Sequence, residues 1–472
     1  MIDLKDLREN PDRYIEGARA KGSNVDIPKL LELDAKRREA LSRQESARAE
    51  QKRISKEIGP QIGKLKGQLK KVDEADRPGL EAEIAKLEAA PAALKQTVQA
   101  AEAEVAELDG PLEDLLLRVP IPADDNVPHG ESDDDNVELR RWSPDGFDPS
   151  QPYEAQRGFQ PKTHLELIEQ HGLVDFERGV KVAGARHYSL LGDAMRLHNA
   201  VLRYAFDVIT DERGFTPMSV PVIVREECML GTGFFPDGRE QAYHIEESSR
   251  GAGHDLFLTG TGEVGLMGLH SGEIVDEADL PIKAATLSTC FRREAGAAGR
   301  DTAGLYRIHQ FDKVEQVVIC RADIDEERAH HADMIETVET ILQRLGLPYR
   351  LLQCCTGDLG SKNADMIDVE CWMPSRGTLD ADGKPSGDWG ETHSASRLHD
   401  YQCRRLNLRY RDANRQTHFC WSLNNTVIAS PRILIPLLEM HQQEDGSIEI
   451  PEVLQPYMGG RTRIGAGSGT EA

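Results

Sequence analysis

The sequence predicts an α+β protein, an antiparallel sheet with flanking helices, preceded by an N-terminal antiparallel coiled-coil hairpin. Three observations predict it. Residues 29–72 form an uninterrupted run of helix formers, and from Leu80 to Leu115 apolar residues recur at alternating steps of four and three. Between these runs "DEADRPG" (73–79) supplies acidic, Pro and Gly breakers. Beyond residue 160, short β-branched and aromatic runs outnumber helix-mediated crossovers, which favours an antiparallel sheet over a doubly wound parallel one.

A chain of 472 residues exceeds what one core supports. A division is therefore expected between residues 1–118, a helical cap with a coiled-coil arm, and residues 119–472, the sheet domain with a disordered C-terminal tail. The formal charge of −24 excludes binding of nucleic acid by overall electrostatics, though not by a locally basic surface. No run approaches the ~20 apolar residues of a membrane span. The opening "MIDLKDLREN" has neither the apolar core of a signal peptide nor an acid-poor, Arg-rich transit pattern. The eight cysteines show no CxxC and no regular spacing, so neither a disulfide framework nor a Cys-rich zinc site is expected. The expected compartment is reducing, the cytosol. Adjacent Cys354 and Cys355 are expected to be buried thiols on neighbouring strand faces.

Taken in order, residues 1–26 read as a small helical cap punctuated by Pro11 and Gly22. The first arm helix carries Ile54, Ile58, Ile62, Leu65, Leu69 and Val72 at steps of three or four. The second carries Leu80, Ile84, Leu87, Pro91, Leu94, Val98, Ala101, Val105, Leu108, Leu112 and Leu115. At 1.5 Å per residue the hairpin would be roughly 60 Å long. Pro91 removes a backbone donor within the seam and should kink the second helix. The first helix is basic (Arg37, Arg38, Arg43, Arg48, Lys52, Arg53, Lys56, Lys64, Lys66, Lys70, Lys71), and the second is dominated by Glu and Asp. Either these charges pair across the rod and solvate it, or the basic helix meets a phosphate backbone. Residues 119–160, beginning "VPIPADDNVPHGESDDDN", read as a linker or an irregular entry segment. Helices are expected over 161–174 and 190–211, and strands over 218–224, 283–291, 305–320, 347–353, 366–373 and 404–410. There is no Gly-rich P-loop and no GxGxxG after a strand.

Residues two apart in a strand share a face. In "FRREAGAAGRDTAGLYRIHQFDKVE" (291–315), Arg292 and Glu294 share one face before the loop, and Arg307, His309, Phe311, Lys313 and Glu315 share one after it. "FLTGTGEVGL" places Thr261 and Glu263 together, and "WSLNNTVIASPR" places Asn424 with Thr426 and puts Arg432 at the start of a helix. A salt-bridged, solvated hairpin is the plain alternative for the first stretch. Gathered on one sheet, however, the set offers guanidiniums for phosphate, an aromatic ring for a base, and carboxylates and hydroxyls for a small polar ligand. No nucleophile has an adjacent base, so positioning and electrostatics would carry any chemistry, as in phosphoryl or adenylyl transfer.

"GFTPMSVP" (214–221), the 291–315 stretch and "WSLNNTVIASPRILIPLLE" resemble the three signature motifs of class II aminoacyl-tRNA synthetases. The "TGE" at 261–263, "GTGFFP" (231–236), "PEVLQPYMGG" (451–460) and the helical hairpin are similar to those of the seryl-tRNA synthetase family. The resemblance covers nearly the whole chain. It implies a class II catalytic sheet in a cytoplasmic homodimer with Pro221 at the dimer interface. The implied activity joins L-serine to tRNA(Ser) through seryl-adenylate, with ATP as a substrate and Mg²⁺ as the ion, and with tRNA(Sec) as a further candidate. It implies catalytic roles for Arg292 and Arg432. Serine would meet Thr261, Glu263, Arg292, Glu315, Asn424 and Thr426. ATP would meet Arg292, Arg293, Glu294, Arg307, Phe311, Glu391, Thr392, His393, Ser394 and Arg432. Glu391 and Ser394 would also hold the metal. The zinc-dependent variant of the family is not implied, since no Cys/His ligand set is found. Motif 3 reads Asn-Asn-Thr where Asn-Gly-Ser is common, and His393 stands where a small hydroxyl residue is frequent. The rivals are a paralogue that passes serine to a carrier protein or small molecule, a non-catalytic scaffold, and a plain coiled-coil interaction protein.

Overall fold

The computed structural model describes residues 1–472 apart from 75, 252, 296–303, 380–382, 384 and 466–472. Arg300 with most of the small-residue loop, and the end of the tail, therefore lie outside the described residues. The chain forms two compact units. One comprises Leu4–Ile15 and Asn24–Val119; the other comprises Met1–Asp3, Glu16–Ser23 and the chain from Pro120 on. A simple cut at 118/119 thus differs from this division in the two short N-terminal segments.

In the N-terminal region α1 spans Leu4–Glu9 and α2 spans Pro11–Ala20, with Gly22 beyond it at φ 65°. Helix α3 runs Ile27–Leu69, capped by the Asp26 carboxylate accepting from the Lys29 N–H, and α4 runs Arg77–Arg118. At 1.5 Å per residue each is about 65 Å long. Every residue of the heptad stripe on α4 is buried or half-buried, while most positions between them are exposed. Ion pairs join Arg37 to Asp109 (2.5 Å), Arg43 to Glu104 (2.6 Å), Arg48 to Glu102 and Lys66 to Glu88 (2.7 Å). The partner numbers fall as the basic ones rise, the signature of antiparallel helices. Pro91 does not break α4, nor do Pro111 in α4 and Pro60 in α3. Each removes one backbone hydrogen bond, and both helices nevertheless run through with their seam packed. Part of the charge therefore pairs across the rod. Lys52, Lys56, Lys64, Lys70 and Lys71 are exposed and have no partner among the described residues.

The second unit is built on one eight-stranded sheet. Its strands are β1 Val137–Trp142, β2 Thr216–Pro217, β3 Ile282–Phe291, β4 Gln310–Cys320, β5 Tyr349–Gln353, β6 Asp365–Met373, β7 Asp388–Arg397 and β8 Trp421–Ser430. They lie in the order β1-β5-β6-β7-β8-β4-β3-β2. All neighbours are antiparallel except β2, which pairs parallel to β3. Helices α5 Gly192–Asp207, α7 Ile324–Arg344 and α8 Leu434–Met440 cover one face. Leu197, Val201, Ile335 and Val338 pack there on Val314, Val318, Val427 and Ile428. The alternate residues of β4 point to the opposite face, where Val317 and Ile319 meet Leu266 and Met267 of the short α6, Glu263–Gly268. Lys313 and Glu315 lie on that face too.

Several expectations need correction. The strand expected over 305–320 starts at Gln310. The His309 carbonyl still accepts from the Arg292 N–H, but its own N–H turns to the Arg186 carbonyl, and Arg307 lies in the bend before the strand. Residues 404–410 are not a strand: α-helix Tyr401–Leu406 precedes a strand of only Arg409–Arg411. Of the 218–224 run only residues 223 and 224 lie in a strand, Ile223–Arg225; β2 ends just before the run, at Pro217. The expected linker contains β1, an edge strand paired with β5. Cys354 and Cys355 are buried and free, but follow β5 instead of lying in it. In the expected disordered tail, Arg463–Ile464 pairs with Ile448–Glu449, and Ile464 is buried. No helix among the described residues is long and apolar enough to cross a membrane.

Candidate active site

The pleat of β4 points Phe311, Lys313 and Glu315 to the open face of the sheet. Across the ladder Glu315 stands opposite Thr426, next to a bulge that takes in Val427 of β8. The buried Lys313 ammonium donates to Thr261 Oγ1 at 2.8 Å and Thr426 Oγ1 at 3.4 Å, and is ion-paired with Glu315. Burial pushes the Glu315 carboxyl up from its ordinary range, against the opposing pull of Lys313.

Thr261 and Glu263 reach this face because Gly262 between them is pressed against the sheet. A Cβ there would stand 2.4 Å from Thr286 Cγ2. Glu263, at the first turn of α6, is fully engaged by protein donors. It accepts from Lys362 Nζ at 2.9 and 2.8 Å, Gln402 Nε2 at 2.6 Å and Asn424 Nδ2 at 2.7 Å. Sequence reasoning missed Lys362 and Gln402. The only signal was physical: a buried carboxylate needs a cation, but the loop bearing Lys362 has no periodicity to reveal it.

The outer end of the cleft is cationic and aromatic. Arg292 lies over the Phe311 ring at 5.3 Å, and its Nε donates to the Gly260 carbonyl at 3.3 Å. Glu294, at φ 51°, accepts from Arg307 Nη1 at 3.0 Å. Arg432 donates from Nε to the Tyr306 carbonyl and from Nη1 to the Glu391 carbonyl, both at 3.1 Å. Its guanidinium covers the Tyr306 ring and stands 3.5 Å from the Glu391 carboxylate. One open cleft is lined by Arg292, Glu294, Arg307, Phe311, Lys313, Glu391, Thr392, His393, Thr426 and Arg432, with Tyr306 as an unforeseen wall.

His393 is buried, and burial followed by the charge of Arg432 pushes its pKa down to about 3. The ring is therefore neutral and adds no charge to the wall. The Thr392 hydroxyl donates to the Val369 carbonyl at 3.2 Å and lies 2.7 Å from His393 Nδ1. Arg293 is turned elsewhere: it donates to the Glu240 carbonyl at 3.3 Å and lines a separate depression beside Asp237, Arg239 and His244. Ser394 faces Asp368 across the ladder and does not line the cleft. Pro221 is exposed.

Asp368 Oδ1 is buried with no hydrogen-bond partner among the described residues. Burial, then repulsion from Glu391 and Asp358, pushes the Asp368 carboxyl up. An orphaned carboxylate oxygen among like charges fits a divalent cation of the Mg²⁺ type. Among the described residues one group, Cys354, Asp358 and Asp368, brings ligand atoms within 4.8 Å of one another.

Comparison with known proteins gives the same outline. Residues 1–122 match the seryl-tRNA synthetase N-terminal domain, and residues 243–441 match the tRNA synthetase class II core domain (G, H, P, S and T). The serine–tRNA ligase of Deinococcus radiodurans is 41% identical over 466 residues, covering 98% of this chain and 99% of the relative. The crystal structure of seryl-tRNA synthetase from Pyrococcus horikoshii complexed with ATP superposes with a TM-score of 0.82 at 34% identity, covering 98% of this chain and 99% of that one. The cytoplasmic serine–tRNA ligase of Naegleria fowleri in complex with AMP gives a TM-score of 0.80 at 29% identity, covering 98% of each chain. With both domains matched, and with identity sustained from end to end, the chain belongs to the seryl-tRNA synthetase family of class II aminoacyl-tRNA ligases.

Proposed function

We propose that the chain activates L-serine with ATP to form seryl-adenylate and transfers serine to the 3′ end of tRNA(Ser). The observation that carries the reading is the pocket around Lys313. Thr261 Oγ1, Thr426 Oγ1 and Glu315 already hold an ammonium there, beside a stacked Arg292–Phe311 pair. These groups suit an amino acid bearing a hydroxyl, and the adjoining cations suit a nucleotide triphosphate.

In the first step the serine carboxylate attacks the ATP α-phosphorus in line, and pyrophosphate leaves. No protein nucleophile takes part. Arg292 bridges the serine carboxylate and the α-phosphate, neutralising charge that the attack concentrates between them. Phe311 stacks on adenine, Glu294 meets its edge, and Arg307 and Arg432 hold the outer phosphates. In the second step a 3′-terminal hydroxyl of tRNA attacks the activated carbonyl and AMP leaves. Glu315 and Thr426 take the serine hydroxyl; alanine would give them no partner beyond Lys313, a loss of about 10⁴-fold for a site built to bond a hydroxyl. Thr261 and Glu263 serve the ammonium end, Glu263 with Lys362, Gln402 and Asn424 around it.

Glu391, which lines the cleft, would hold Mg²⁺, which would screen the phosphate charge when bound; Ser394, turned toward Asp368, has a weaker claim on it. Thr392 and His393 complete the wall. Arg293, turned toward a separate depression, has the weakest claim on ATP. The exposed Lys52, Lys56, Lys64, Lys70 and Lys71 suit a phosphate backbone on an otherwise acidic protein, so the arm is assigned to tRNA. A homodimer through the Pro221 region and a cytoplasmic location belong to the same proposal, the latter supported by eight free cysteines. A paralogue serving a carrier protein is not favoured, since the chain keeps the full arm.

Serine-dependent ATP–pyrophosphate exchange tests the reading, with alanine, threonine and cysteine as controls and tRNA added afterwards. Serine-selective exchange followed by seryl-tRNA formation is expected. Exchange without charging would favour the carrier paralogue, and no exchange with any amino acid would overturn catalysis.

A further inference from the structure

We propose that His198 is a positioning residue for the nucleotide end of the cleft, an inference resting on the adenylate reading above. It joins, from outside the sheet, the three strands that deliver Arg292, Phe311 and Arg432.

His198 lies on α5, which covers the face of the sheet away from the cleft, and only 4% of it is exposed. Its Nδ1 is 2.8 Å from Ser430 Oγ and its Nε2 is 3.1 Å from Asp312 Oδ2. The other oxygen of Asp312 accepts from Thr289 Oγ1 at 2.6 Å. In the ladder Asp312 stands opposite Ser430 on one side and Thr289 on the other. The bonds therefore form one row across β8, β4 and β3. Phe311 is one residue from that row, Arg432 two and Arg292 three. An ionised carboxylate only accepts, so Nε2 carries a proton toward Asp312 Oδ2, while Nδ1 and the Ser430 hydroxyl share the second bond.

The helix does not need this histidine to stay docked. Leu197, Val201 and Ala205 already bury α5 on the core. A satisfied buried polar network specifies one arrangement where apolar contacts tolerate several. Its effect is to fix the spacing of three strand ends whose side chains must meet one nucleotide together. A strand end displaced by a fraction of an ångström would misplace a guanidinium more than it would weaken the core. The serine pocket is held separately, through Lys313, Glu263 and Lys362.

The test is steady-state pyrophosphate exchange with full-length His198→Ala, His198→Gln, His198→Asn and Thr289→Val, with ATP affinity measured by calorimetry and folding by circular dichroism. His198→Ala should raise KM for ATP about tenfold while KM for serine stays within about twofold. His198→Gln can still reach Asp312 and His198→Asn can still reach Ser430, so each should recover part of the loss. A folded His198→Ala with ATP constants within about twofold of wild type, or with both KM values raised equally, would overturn the proposal. Should His198→Ala not fold, Thr289→Val assayed in the same way decides, since it removes the hydroxyl that holds the other Asp312 oxygen and Thr289, unlike Ser430, does not line the cleft: a selective rise in KM for ATP supports the proposal and no rise overturns it. A wild-type enzyme that binds no ATP would instead sink the adenylate reading and this inference with it.

Discussion

The arm and the cleft use charge in opposite ways. In the arm the apolar seam is buried and the ion pairs lie outside it: Arg43 and Glu104 expose 52% and 42% of their side chains. At the inner end of the cleft the ion pairs are themselves interior: Lys362 and Glu263 expose 15% and 3%, Lys313 and Glu315 only 6% and 2%. Exposed pairs are screened and contribute little, whereas a buried charge that loses its partner is costly. Substitutions of the same chemical kind should therefore have unlike consequences in the two regions.

The largest contrast is expected at Glu263. Glu263→Gln keeps the shape but leaves the Lys362 ammonium buried without a counter-charge, a loss of about 3–5 kcal/mol. Urea unfolding should show that loss, and serine-dependent exchange should fall at least about a hundredfold. A variant that unfolds like wild type would show that Lys362 reaches solvent and that the interior pair is not what holds this end of the pocket.

The next effect lies in a second buried cluster of the same unit. Arg397 contacts Asp124 and Asp365, each at 2.6 Å, and Glu327 at 3.4 Å. His399 contacts Asp124 at 2.9 Å and Glu327 at 2.8 Å. Burial alone would lower the His399 pKa, but its two carboxylate partners outweigh this and raise it to about 9. A raised folded pKa stabilises below the unfolded value of about 6.5 and loses that contribution as pH rises through about 9. The span corresponds to about 3 kcal/mol. Thermal unfolding should thus weaken from pH 6.5 to 9.5 in wild type. His399→Gln should be less stable at pH 6.5 and lack that slope; an equal slope in both proteins would remove His399 as its source.

The same contrast explains what the sequence disclosed. A seam of one period and no tertiary complication could be read residue by residue, and every member of the Leu80–Leu115 stripe is buried or half-buried. The cleft was legible only where strand alternation met a recognisable motif, as at Lys313, Glu315, Asn424 and Thr426. Lys362, Gln402 and Tyr306 come from loops and a short helix whose placement depends on long-range packing, so no local pattern announced them. β7 was missed as a strand because "DWGETHSASR" is polar and small, with little β-branched character. Arg293 and Ser394 were grouped with their neighbours by proximity in sequence, although Arg293 lies beyond the end of β3 and turns to a separate depression, and Ser394 faces Asp368 across the ladder.

In the arm, the seam is the part to break. Ile84 is buried on α4, and Ile84→Ala should cost about 2 kcal/mol locally. Hydrogen exchange should quicken in α3 and α4. On the proposed division, in which the sheet unit activates serine and the arm serves tRNA, serine-dependent pyrophosphate exchange should be unchanged and tRNA charging reduced. Loss of both activities together would mean that the two units are not separable in function.

The smallest effect is the cross-arm pair of Arg43 and Glu104, although at 2.6 Å its geometry rivals that of Lys362 and Glu263. Short distance is not the deciding quantity. Both partners are already hydrated, so separating them exchanges one favourable contact for water and returns side-chain entropy. A double-mutant cycle with Arg43→Ala and Glu104→Ala should give a coupling of about 0.2–1 kcal/mol. Raising the salt to about 1 M, where the Debye length is about 3 Å, should erase most of it. A coupling above about 2 kcal/mol, or one indifferent to salt, would mean that the arm surface behaves as an interior, and exposure would lose its standing as the variable that separates arm from cleft.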